Sequence, residues 1–192
     1  LQKLQDAALK PTYGLFLTLN GEKFAKYDGQ WFYVTPIAWE ILHKEGKECL
    51  VVSKDLIDAR RYDPKDGDYA SSEIRKWLHE HFLPHAFSHP EYVCRHRFSI
   101  GLFQEKDDVT LLKEEDVLNP NFGFRKDEDR ISELSDYAAT RAKLQGIAPY
   151  WLQSKKKKSK DATIVSPKGE LGTMDSANPL SGIRPCLKIR LP

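Results

Sequence analysis

The sequence predicts a mixed α+β fold of short antiparallel sheets with two main helices, and three observations carry that prediction. Eleven glycines and eleven prolines put a chain-punctuating residue at about one position in nine, which suits many short elements. Runs rich in aromatic and β-branched residues alternate with turn dipeptides such as Asn20-Gly21 and Asp28-Gly29, the pattern of strands joined by hairpins. Beyond a short stretch at 1–9, two segments, 71–83 and 133–144, repeat apolar residues at the 3–4 spacing of an amphipathic helix.

Composition bounds the rest. The chain has 192 residues, 40% hydrophobic and 30% charged, enough for one domain with a real core. A net charge of +2 lacks the strongly basic face usual in nucleic-acid binders. No run approaches the roughly 18 apolar residues that a membrane-spanning helix needs. Residues 1–10 are amphipathic, unlike the basic-then-apolar order of a signal peptide. A first residue of Leu rather than Met is what a fragment or a processed product shows. Cys49, Cys94 and Cys186 are odd in number and far apart, which argues against a disulfide framework and is compatible with the cytoplasm. Buried thiols are the expectation, with a single disulfide, a nucleophile or a metal ligand as alternatives.

Element by element, residues 1–9 carry apolar side chains at 1, 4, 8 and 9, so residues 1–12 are expected to be a short helical linker and 13–192 a single globular domain. Residues 14–19 and 23–27 flank Asn20-Gly21, whose two members tolerate positive φ, and form a hairpin. Residues 31–42 form a strand broken at Pro36. The nearly continuous apolar run 48–53 is a central strand, paired so that Ile41 and Val51 point to the core. Ser71-Ser72-Glu73 opens a helix with a serine cap and an acid near the positive end of the dipole. Ile74, Trp77, Leu78 and Phe82 give that helix one buried stripe, and Pro84 stops it. Short strands at 96–102 and 109–112 precede a helical turn at 113–118 and a polar loop at 121–130. The helix at 133–144 ends with Gly146 as its C-cap. Strands at 150–154, 162–165 and 170–173 follow, and 183–191 is the last strand.

Several of these segments match one pattern in order: Pro36-Ile37-Ala38-Trp39-Glu40-Ile41-Leu42, Val51-Val52-Ser53-Lys54, Ile57-Asp58-Ala59-Arg60-Arg61-Tyr62, Ser72-Glu73-Ile74-Arg75-Lys76-Trp77-Leu78, Ala86-Phe87-Ser88, Asp136-Tyr137-Ala138, Trp151-Leu152-Gln153-Ser154 and Gly182-Ile183-Arg184-Pro185-Cys186-Leu187. Over about residues 24–191 the chain resembles an uncharacterised bacterial family, a domain of unknown function. The chain departs from that family at His79, at Gln153 and in the lysines of 155–160. The closing Gly-Ile-Arg-Pro also resembles the end of formylglycine-generating-enzyme and C-type-lectin-like domains. That resemblance implies a C-type-lectin-like fold for 13–192, with two helices against small twisted sheets. It does not confer function.

Four groups of side chains are candidates for chemistry. His79, His81, His85, His89, Cys94 and His96 are dense enough in imidazole and thiol to suggest zinc, though Pro84 interrupts a continuous helical face and no standard zinc spacing accompanies them. Asp127, Glu128 and Asp129 form an acidic loop of the kind calcium uses, without EF-hand spacing. No cofactor is expected, zinc and calcium being the alternatives. Lys155, Lys156, Lys157, Lys158 and Lys160 place five cations in six residues between two strands, a charge that attracts an acidic partner and could attract nucleic acid. With Asn178 in the loop 175–181, they are the candidate ligand-binding residues. Arg184 is expected to pin carbonyls or a carboxylate with its planar fork. Trp39, Trp77 and Trp151 belong to the core and Trp31 to the surface. No serine sits in the Gly-x-Ser-x-Gly setting of an activated nucleophile.

The expected function is therefore a non-catalytic recognition or accessory module of a larger bacterial protein, contacting a partner through loops of its C-terminal sheet. An enzyme, either a metal-assisted oxidase or a hydrolase, and a structural or assembly domain are the alternatives. The oligomeric state is left open.

Overall fold

The structure, a computed structural model, describes residues 2–5, 16–27, 29–65, 68–87, 89–100, 105–155 and 159–192. Its strands are β1 Gln2–Gln5, β2 Phe16–Leu19, β3 Glu22–Tyr27, β4 Gln30–Thr35, β5 Trp39–Glu45, β6 Glu48–Ser53, β7 Asp58–Ala59, β8 Phe98–Ile100, β9 Glu105–Asp107, β10 Val109–Leu111, β11 Tyr150–Lys155, β12 Asp161–Val165, β13 Leu171–Asp175, β14 Gly182–Ile183 and β15 Pro185–Arg190. The α-helices are α1 Glu73–Trp77, α2 Glu114–Val117 and α3 Asp136–Ala142. The mixed α+β class and the short, mostly antiparallel sheets follow the sequence.

The amino-terminal sheet has the order β1-β4-β3-β2. Asn20 and Gly21 both take positive φ, 51° and 81°, the turn whose twist matches that of the flanking strands. Ala25 and Phe32 are fully buried on the inner face, where Phe32 meets the edge of Tyr137 at 6.1 Å. Leu17 and Trp31 lie exposed. In place of the expected helical linker over residues 1–12, its described part, Gln2–Gln5, is a strand lying parallel to β4. So short a stretch cannot nucleate a helix by itself, whereas the open edge of β4 satisfies its backbone. Residue 1 and residues 6–12 lie outside the described residues.

The central sheet has the order β10-β15-β6-β5. β6 is interior and buried on both sides: Cys49 and Val51 join one core cluster, and Val52 joins the other. Ile41 is a correction. It pairs with Val51, yet it is 57% exposed, because it points to a face of edge strand β5 that no described residue covers. A register shift between Ile41 and His43 turns Leu42 inward instead, among Val52, Leu112 and Val117.

Ser72 caps α1 by accepting the Arg75 amide at 3.2 Å. Ile74, Trp77, Leu78 and Phe82 are all buried, as their spacing predicts. The last turn, Leu78–Phe82, widens to π geometry, with the Leu83 amide donating to the Leu78 carbonyl at 2.9 Å before Pro84. α3 is capped by Ser135 and buries Tyr137, Ala138, Ala139 and Ala142. Its left-handed end residue is Lys143, at φ 52°, rather than Gly146. The Gly146 carbonyl accepts the Leu134 amide at 2.8 Å and so ties down the return of the chain.

The five-stranded sheet has the order β13-β12-β11-β14-β7. The expected single strand over 183–191 is two strands that belong to different sheets, β14 here and β15 in the central sheet. Arg184 sits at the crossing, 2% exposed. Its Nε donates to the Ser53 carbonyl at 2.9 Å, its Nη2 reaches Glu40 at 2.7 Å, and the guanidinium lies 5.6 Å from the Tyr150 ring centre. Gly182 is required beside it, since a Cβ there would stand 2.5 Å from Leu56 Cδ1. Trp151, fully buried, and Trp77 are in the core, and Trp39 is half-buried against Phe87.

Candidate functional site

The strands of the five-stranded sheet bring residues 160–161, the described end of one predicted contact loop, beside the start of the other, 175–181. β12 and β13 pair in register until Asp161 faces Asp175. Beyond that pair the Ser176 amide donates to the Lys160 carbonyl at 2.8 Å. The Ser176 carbonyl accepts the amides of Tyr62 at 2.8 Å and Asp63 at 3.0 Å, and the Ser181 carbonyl accepts that of Arg60 at 3.1 Å. Residues 60–63, 160–161 and 175–181 are thus one surface, held by backbone hydrogen bonds.

Lys160 is exposed on this surface, and Lys155 ends β11. Lys156, Lys157 and Lys158 lie outside the described residues. Asn178 shapes the loop: its Oδ1 accepts the Leu180 amide at 2.9 Å, while its backbone amide donates to the Asp175 carbonyl. Leu180 stands exposed beside it. Asp161 and Asp175 are exposed and directly opposite, an unfavourable pairing of like charges. The five lysines of 155–160 supply opposite charge in the adjoining segment.

Two buried carboxylates brace the scaffold, and the sequence reading missed both. Asp58 is 0% exposed; it accepts hydrogen bonds from Arg60 Nε at 2.7 Å and the Ala59 amide at 2.8 Å, and forms an ion pair with Arg141, whose Nε stands 2.8 Å away. Arg60 also lies over the Trp77 ring, 4.7 Å from its centre. The available signal was an Asp set between Ile57 and Ala59 in an apolar stretch. Asp107 is held by both prongs of Arg75, Nε and Nη2, each at 2.8 Å, and His79 Nε2 stands 3.3 Å away. Burial pushes the Asp107 carboxyl up, but hydrogen bonds from Arg75 and His79 outweigh it and bring it down to about 2.

A pH dependence follows from Asp107. Its carboxyl titrates lower in the folded chain than in the unfolded one, so the unfolded state takes up its proton first as pH falls. The stabilisation is complete above about pH 4 and is lost between about pH 4 and 2, a change of about 1–2 kcal/mol. Urea unfolding at pH 5 and pH 2.5 should show this loss, and Asp107→Asn should remove its share of the difference.

The histidines do not converge. His79 faces Asp107, His89 pairs with Glu91 at 3.0 Å, and His96 stands 3.8 Å from Asp108. His81 and His85 are exposed. Among the described residues no group of three or more His, Cys, Asp or Glu is placed to hold a metal ion. The acidic loop turns its carboxylates on itself: Asp129 accepts the amides of Arg125 and Lys126 at 2.9 and 3.0 Å, and Asp127 pairs with the buried Arg130. Cys49, Cys94 and Cys186 are free and buried, and burial pushes the Cys186 thiol far above its ordinary value. No helix among the described residues is long and apolar enough to cross a membrane.

Comparison with protein-family models, with curated proteins and with solved structures gives no match.

Proposed function

We propose that this chain is a recognition module that captures an acidic polypeptide partner at the end of its five-stranded sheet. The carrying observation is the hydrogen bond between the Ser176 amide and the Lys160 carbonyl, which sets Lys160, the last lysine of the run, beside the 175–181 loop. Five lysines in the six residues 155–160 give the segment a dense positive charge, and the hydrogen-bonded turn next to Lys160 gives a partner an edge to register against. Exposed Leu180, in the 175–181 loop, adds an apolar contact. We further read the chain as a member of the bacterial family its motifs resemble, with a C-type-lectin-like closure. The motif order over residues 24–191 and the crossing of the chain at Arg184 from β14 to β15 support that reading.

The test is binding of a fluorescent oligoglutamate peptide by the protein and by a variant in which Lys155, Lys156, Lys157, Lys158 and Lys160 are all serine. The variant should bind at least about tenfold more weakly while keeping its melting temperature, and added salt should weaken the unmodified protein most. Full affinity in the variant, or stronger binding of an oligonucleotide of equal charge, would sink the acidic-polypeptide reading.

A further inference from the structure

A second candidate site, rich in arginine, lies on the central sheet. After the turn at Pro90–Tyr92, Val93 bridges to Ile189 and the Cys94 amide donates to the Lys188 carbonyl at 2.8 Å. Residues 93–94 therefore continue the sheet alongside the last turn of β15. The chain then reverses through His96, at φ 56°, a left-handed conformation that a residue with a Cβ holds only under constraint. That constraint is visible: Asp108 accepts the His96 amide at 2.5 Å and Arg95 Nη1 at 2.8 Å.

The result is a cavity of about 190 Å³ lined by Glu91, Tyr92, Val93, Cys94, Arg95, Arg97 and Arg190. Three guanidiniums surround it, with side chains 56%, 40% and 61% exposed for Arg95, Arg97 and Arg190. Arg97 Nη2 and Arg190 Nη2 both reach a single oxygen, Oε1 of Glu48, at 2.7 and 2.6 Å. Two cations thus share one carboxylate oxygen, and each guanidinium carries further N–H donors. The hydrogen bond from Arg190 and the charge of Arg97 hold the Glu48 carboxyl below its ordinary range despite its desolvation. Forked guanidiniums match the oxygens of a phosphoryl group, which takes several donors at once. The cavity is smaller than the roughly 300–1,000 Å³ of sites that enclose a whole ligand, so it suits a head group with the remainder projecting past Tyr92.

We infer that this pocket binds the phosphate of a small phosphomonoester between Arg95, Arg97 and Arg190, and that Glu48 competes with it for two of them. The site is independent of the lysine-rich connection. Phenyl phosphate, with benzoate and inorganic phosphate as comparators, is titrated by calorimetry into the protein and into Arg97→Gln, Arg190→Gln and Glu48→Gln. Saturable phenyl phosphate binding is expected, with benzoate at least about tenfold weaker because a carboxylate offers fewer acceptors. Each arginine variant should weaken phenyl phosphate about tenfold, and Glu48→Gln should tighten it severalfold. Loss of the lysine charges should leave it unchanged. Thermal melts identify any unfolded variant, and either arginine variant alone suffices. No saturable binding, equal binding of benzoate, undiminished binding in a folded arginine variant, or no tightening in Glu48→Gln would each overturn the inference.

Discussion

Replacing Asp58 by alanine is expected to destabilise the protein by about 3 kcal/mol, read as a lower urea midpoint at an unchanged slope. The carboxylate is wholly buried and neutralises two guanidiniums, and it also accepts the Ala59 amide. Its loss strands Arg60 and Arg141 beside a dry pocket. Their side chains remain 28% and 27% exposed, so water recovers part of the loss and the effect falls at the low end of the roughly 3–5 kcal/mol for breaking a buried pair. Asp58→Asn keeps an acceptor for the amide and should cost less than Asp58→Ala. A change below about 1 kcal/mol in the alanine variant would show that the pair does not brace the fold.

The largest effect is expected at Trp151. The ring is fully buried, meets Tyr62 edge-on at 5.6 Å, and its Nε1 donates to the Arg60 carbonyl at 2.7 Å. Truncation to alanine removes the packing and leaves that carbonyl short of its donor, a loss of about 3–5 kcal/mol. Trp151→Phe keeps most of the packing and loses the hydrogen bond, so it should retain more than half of that stability. Near-equal unfolding midpoints for the alanine variant and the unmodified chain would contradict the packing described for β11.

The two predictions show where sequence reading succeeds and where it stops. Trp151, the stripe Ile74-Trp77-Leu78-Phe82 and the Asn20-Gly21 hairpin were legible, because each depends on local spacing or on a turn that only a few residues allow. Ile41 was misplaced because alternation identifies a face of a strand and does not say whether that face is covered; β5 is an edge. The strand at residues 2–5 was missed because its partner, β4, lies outside the local window, and Lys143 was missed because glycine is only the commonest left-handed cap. Asp58 with Arg141 and Asp107 with Arg75 join segments far apart in the chain, so no local pattern encodes those pairings; only Asp58 with Arg60 is local. For the candidate surface, the sequence supplied the charge of 155–160 and the turn residue Asn178. It did not supply the juxtaposition of Lys160 with the 175–181 loop, which arises from strand register. The arginine pocket had no signature, since Arg190 and Arg97 meet only after β15 and the 93–97 segment are paired.

That pairing has a consequence for how the chain is made. β15 is inserted between β6 and β10, both of which precede it in the sequence. A nascent polypeptide therefore emerges from the ribosome with two hydrophobic strands waiting, side by side but unjoined, until residues 185–190 have been synthesised. Closure of the central sheet is a late, long-range event, and until then the open strand edges are the part of the molecule most in need of a chaperone.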